Sequence, residues 1–93
     1  MADAEARRER IQRSIAALAQ RPNAVQFDEV DRIVGQIKLL GEVMVVARPT
    51  THGYQYTIGT RIVRVKKNQR GPMKKCYVED FLDAMIDLGL YEE

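Results

Sequence analysis

A single histidine, His52, stands in this 93-residue chain, within Arg48-Pro49-Thr50-Thr51-His52-Gly53-Tyr54-Gln55-Tyr56. Downstream, the stretch from Arg61 to Lys75 carries seven basic residues and no acidic one. An imidazole titrates near neutral pH, so it can take or give a proton under ordinary conditions. Lysine and arginine side chains neutralise phosphates with an affinity that is salt-sensitive and largely independent of sequence. Cleaving an RNA phosphodiester needs an acceptor for the 2′-hydroxyl proton, a donor for the leaving oxygen and cations for the charge building on phosphorus. His52 suits either proton-transfer role, and Lys66, Arg64 or Arg48 suits the phosphate. Tyr54 or water would complete the second transfer. A plainer reading stands beside this one. In it His52 is a turn residue, and the cations keep an open sheet face soluble and discourage edge pairing.

Other chemistry-bearing residues are weaker candidates. Tyr54 and Tyr56 either stack on bases or, as an alternating aromatic pair in a central strand, belong to the core. Glu79, Asp80, Asp83 and Asp87 fall on one side of a C-terminal helix, where a solvated acidic face is expected rather than a metal site. Cys76 is the only cysteine, which excludes an internal disulfide and a cysteine-based zinc cluster. The chain has no phosphate-cradling glycine loop and no dinucleotide fingerprint.

The elements that would position these residues follow from periodicity. Ala4 to Gln20 reads as a helix, with Ile11, Ile15 and Leu18 at helical spacing and Arg21-Pro22-Asn23 ending it. Its narrow stripe suggests a peripheral arm that the rest of the chain does not need in order to fold. A second helix opens at Asp28 as N-cap. It carries a continuous stripe of Val30, Ile33, Val34, Ile37 and Leu40, and it stops at Gly41. Three strands follow. Glu42 to Arg48 has a Met44-Val45-Val46 run suggesting burial on both sides. Tyr54 to Ile58 places Tyr54, Tyr56 and Ile58 on one face, and Arg61 to Lys67 sets Val63 and Val65 against Ile62, Arg64 and Lys66. Gly59-Thr60 suits a tight hairpin, and Asn68-Gln69-Arg70-Gly71-Pro72 reads as a loop. The last helix, about Lys74 to Leu88, buries Val78, Phe81, Leu82, Met85 and Ile86. Gly89 is placed to end it, with Leu90 folding back on Met85. The expected fold is an α+β two-layer sandwich in helix-helix-β-β-β-helix order, with a three-stranded antiparallel sheet open on one face. Residues 1–22 form the basic helical arm and residues 23–93 the domain.

Composition bounds the function. A hydrophobic content of 45% supports a packed core rather than disorder. No apolar run approaches the ~20 residues needed to cross a membrane. The charged Met1 to Arg10 lacks the apolar stretch of a secretory signal. With a lone cysteine, a reducing, cytoplasmic setting is expected. The net charge is only +2, but its distribution is uneven: from Cys76 to Glu93 there are six acidic residues and no basic one. A positive middle and a negative tail would let one face meet nucleic acid while the last helix stays clear of it.

From Phe27 to Leu90 the chain resembles the HicA-like toxins of bacterial toxin–antitoxin systems. These are small domains with a double-stranded-RNA-binding-like fold that act as mRNA interferases. The family signature is G-S/T-x-H at the entry to the second strand, followed by alternating apolar residues. Pro49-Thr50-Thr51-His52 and Gly53-Tyr54-Gln55-Tyr56 fall into that frame. Lys75-Cys76-Tyr77-Val78-Glu79-Asp80-Phe81-Leu82 and Leu88-Gly89-Leu90 are similar to the family's closing helix. Arg21-Pro22-Asn23 to Val30 resembles the entry of a longer branch with an extra basic helix. The chain departs from the pattern in carrying Pro49 for glycine, and Gly53 where many relatives have a second histidine or an apolar residue. It also lacks a Pro-His after the third strand. The resemblance implies an endoribonuclease that needs no cofactor or metal, with RNA and a cognate antitoxin protein as partners. His52 would be its catalytic residue, and Arg48, Thr50, Thr51, Arg64, Lys66, Lys67 and Arg70 would contact RNA. The residues leave two other functions open: a non-catalytic nucleic-acid-binding module of the same fold, or a protein-interaction domain whose basic face docks an acidic partner.

Overall fold

The computed structural model describes residues 2–68 and 71–92. Three helices and three strands run in the order α1 (Ala2–Ala19), α2 (Phe27–Leu40), β1 (Val45–Pro49), β2 (Gly53–Ile58), β3 (Arg61–Lys66) and α3 (Lys75–Asp87). The strands form an antiparallel meander, β1-β2-β3, in the expected helix-helix-β-β-β-helix α+β arrangement. Its register opposes Ala47 to Tyr56 and Tyr56 to Val63, and likewise Arg48 to Gln55 and Gln55 to Arg64. The pleat therefore sends Tyr56, Ile58, Val63 and Val65 into the core. The other face, with Val46, Arg48, Ile62, Arg64 and Lys66, is open to solvent. Ile58 pairs with Arg61, so Gly59-Thr60 closes a two-residue hairpin as its composition suggests.

α2 packs on β1, α3 on β3, and α1 on α2. The stripe read in α2 is buried from Val30 to Ile37. The helix starts earlier than Asp28, because Gln26 is the capping residue. The Glu29 carboxylate accepts the backbone N–H of Gln26 at 2.8 Å and a hydrogen bond from Arg21 at 3.0 Å. Arg21 in the first place holds the Glu29 carboxyl below its ordinary range. α3 buries Val78, Phe81, Ala84 and Met85, while Leu82 and Ile86 are only half-buried. It ends as expected at Gly89, whose φ of 75° admits the Leu90 N–H to the Met85 carbonyl at 2.9 Å and its own N–H to Ile86 at 3.0 Å.

Two expectations are corrected. The stripe of α1 is not peripheral: Ile11, Ile15 and Leu18 lie fully buried in the same core cluster as α2 and α3, and Arg8 pairs with Glu42. β1 is not buried on both sides either. Only Val45 is covered, whereas Met44 is 78% and Val46 42% exposed, because helix cover reaches only the start of this edge strand.

Candidate nucleic-acid interface

His52 lies in the turn joining β1 to β2, and the turn is built by the backbone. The Thr50 N–H donates to the Gly53 carbonyl at 2.9 Å, closing the turn Thr50-Thr51-His52-Gly53 on itself. The His52 carbonyl in turn accepts the Lys67 N–H at 2.8 Å, fastening the histidine to the exit of β3. Gly53 makes this approach feasible. A Cβ there would stand 2.0 Å from the Val65 carbonyl oxygen and 2.9 Å from the Lys66 Cα. The closeness of β2 and β3 thus reserves position 53 for glycine. The imidazole itself is exposed.

Two open concavities flank His52. One, of about 350 Å³, is lined by His52, Lys66, Lys67, Asn68, Lys74 and Tyr77. The other, of about 430 Å³, is lined by Pro49, Thr50, Thr51, His52, Gly53, Tyr54 and Lys67. His52 and Lys67 belong to both. Lys67 also leans over α2, with its ammonium 5.5 Å from the Phe27 ring centroid. Phe27 stacks on Tyr54 at 5.4 Å, and Tyr54 on Tyr56 at 5.9 Å. This aromatic column resolves the two readings of the tyrosines. Tyr56 is buried and donates its hydroxyl to the Asp31 carboxylate at 2.8 Å. Burial first, and that carboxylate second, push the Tyr56 phenol far above its ordinary range, so it stays a donor within the fold. Tyr54 is half-buried within the column.

The sequence-predicted contacts divide into groups. Thr50, Thr51, Lys66 and Lys67 gather around His52. Arg48 and Arg64 lie across the open sheet face on either side of Gln55, whose Oε1 accepts the Arg64 Nε–H at 3.2 Å. Arg70 lies outside the described residues. The strip's charge is also less uniform than it reads. Arg61 pairs with Asp87, and Lys75 with Glu79 at 3.6 Å, so the acidic helix neutralises both ends. Among the described residues of the strip Arg64, Lys66, Lys67 and Lys74 have no acidic partner, and the three lysines lie together. The positive field is therefore concentrated on the His52 side, where α3 also begins with no acidic residue in its first turn.

Lys74 belongs to the basic stretch read from the sequence, whereas nothing in the sequence points directly to Tyr77 as a site residue. What delivers them is Met73, which is buried and donates its N–H to the Val25 carbonyl at 2.8 Å. That tie pins the entry of α3 beside the strand exit. An apolar residue wedged between Pro72 and Lys74 was the available signal. Among the described residues no three of His, Cys, Asp and Glu converge to hold a metal ion, and no helix is long and apolar enough to cross a membrane.

The site thus offers one exposed imidazole, three unneutralised ammonium groups and a phenol around an open depression. Such a set can bind a polyanionic backbone without reading its bases, and can move protons at one point along it. Comparison with known proteins finds no matching family model, no matching curated protein and no matching solved structure.

Proposed function

We propose that this chain is an RNA-binding domain of HicA-like toxin type that cleaves RNA by proton transfer at His52. One observation carries the reading: the only imidazole of the chain shares a concavity with Lys66, Lys67 and Lys74, none of which is neutralised among the described residues. The lysines hold consecutive phosphates and offset the charge on the pentacoordinate phosphorus. His52 takes the proton of the 2′-hydroxyl. The 2′-oxygen then bonds to phosphorus, the bond to the 5′-oxygen breaks, and that oxygen leaves carrying a proton. The products are a 2′,3′-cyclic phosphate and a 5′-hydroxyl. Thr50 and Thr51 line the adjoining concavity, where their hydroxyls can meet the phosphate, and Arg48 and Arg64 extend the track over the open sheet face. A cognate acidic antitoxin would cover this same face.

The test is cleavage of a mixed-sequence RNA by wild type and His52→Ala, with and without EDTA. Wild type is expected to yield cyclic-phosphate ends in EDTA, and His52→Ala to bind RNA but cleave ~10²–10⁴-fold more slowly. Equal cleavage by both proteins removes His52 from the mechanism. Salt-sensitive binding without cleavage by either makes the domain a non-catalytic RNA-binding module.

A further inference from the structure

The cleavage just described leaves one role unfilled, the donor that protonates the departing 5′-oxygen. Two tyrosines border His52. Tyr54 is held in an aromatic column between Phe27 and Tyr56, with interplanar angles of 18° and 9°. Its concavity contains a single lysine, Lys67. Tyr77 differs on both counts. Its ring packs against the core while the residue stays half-exposed, and it lines the concavity that holds His52 and three lysines. It also lies three residues after Lys74, the N-cap of α3, and both line that concavity. A scissile phosphate held in this concavity would be lined by the imidazole from the turn and the phenol from the helix. In-line displacement requires the entering and leaving oxygens on opposite sides of phosphorus, so the acid and the base must be separate groups, and this concavity draws one from the β1–β2 turn and one from α3.

We infer that Tyr77 is the general acid of the site, donating its hydroxyl proton to the 5′-oxygen as the phosphorus–oxygen bond breaks. The inference rests on the proposed ribonuclease activity. The proton balance closes within the pair: His52 gains the 2′-hydroxyl proton, Tyr77 loses its own to the leaving oxygen, and transfer from imidazolium to phenolate through solvent restores both.

The experiment compares wild type, Tyr77→Phe and His52→Ala on two RNAs of one sequence, one with an ordinary scissile 5′-oxygen and one with a bridging 5′-sulfur. A thiolate leaves without being protonated, so the sulfur substrate bypasses the acid but not the base. Tyr77→Phe keeps the ring and its packing, and an unchanged melting temperature verifies this. The expected result is a ~10²-fold or greater loss for Tyr77→Phe on the oxygen substrate, with near wild-type rates on the sulfur substrate, while His52→Ala is slow on both. A wild-type rate for Tyr77→Phe on the oxygen substrate, or an equal loss on both substrates, overturns the assignment of Tyr77. Either result leaves the His52 reading intact if His52→Ala remains slow. Failure of wild type to cleave either RNA overturns the activity itself, and Tyr77's role with it.

Discussion

Replacing Gly53 with alanine tests how the fold holds the histidine. The new Cβ would start 2.0 Å from the Val65 carbonyl oxygen and must move to at least 3.4 Å, where ordinary contact begins. β2 and β3 would therefore separate locally by about 1.4 Å, the difference of those two distances. The neighbouring atoms are backbone, the Lys66 Cα at 2.9 Å and the Val65 carbonyl carbon at 3.0 Å, so no side-chain rotation relieves the clash. An opening of that size takes the 2.8 Å contact between the Lys67 N–H and the His52 carbonyl beyond hydrogen-bond range. One or two lost backbone hydrogen bonds cost about 0.5–1.5 kcal/mol each, and the overpacking adds about 1–3 kcal/mol. The expected destabilisation is about 2–4 kcal/mol, which for a domain of this size lowers the melting temperature by roughly 10 °C or more. Guanidinium unfolding of both proteins measures the loss, and hydrogen exchange at the Lys67 amide localises it. Stability within about 0.5 kcal/mol of wild type, the range of an ordinary surface change, with the Lys67 amide still protected, would refute this account of the His52 turn.

Three further outcomes are expected. Ile15→Ala should cost about 2–5 kcal/mol, and a chain lacking residues 1–20 should lose cooperative unfolding, because Ile11, Ile15 and Leu18 are part of the single core cluster; a truncated chain that melts like wild type would return α1 to the status of an arm. The Glu29 carboxyl is held low by Arg21, so its contribution to stability is complete above the ordinary carboxylate range and is lost as pH falls through its folded value. The stability advantage of wild type over Glu29→Gln should accordingly shrink below pH about 4, and an advantage that grows on acidification would contradict the pairing. Substituting Lys66, Lys67 and Lys74 together with alanine should flatten the dependence of log K on log salt for single-stranded RNA by about 2, at roughly 0.7 per phosphate contact; an unchanged slope would move the RNA elsewhere on the surface.

Much of the architecture was legible because burial and periodicity coincide. The stripe of α2, the alternation of Tyr54-Tyr56-Ile58 and of Val63-Val65, and the Gly89 ending of α3 each state their own geometry. The misreadings have physical causes. α1 needs only a narrow stripe because it packs chiefly on one neighbour, α2. The β-branched run of β1 reads as two-sided, but as an edge strand it is covered on one side and only at its start. At the site, local features such as the His52 turn and the Lys66-Lys67 pair were visible in sequence. The arrival of Lys74 and Tyr77 depends on the Met73 tie to Val25, and the neutralisation of Arg61 depends on Asp87. Those are long-range consequences of where α3 lands, at which the apolar Met73 hints but which no local pattern specifies.

The claim that RNA meets this protein at His52 has a direct spectroscopic test, because the chain contains a single imidazole and its ring signals report one residue. Titrating a 2′-O-methyl oligonucleotide, which cannot be cleaved, should shift the His52 ring resonances together with the backbone amides of Lys66, Lys67 and Tyr77. The shifts should reverse on adding salt. Saturable RNA binding that leaves the His52 ring signals unmoved while amides elsewhere respond would contradict the account.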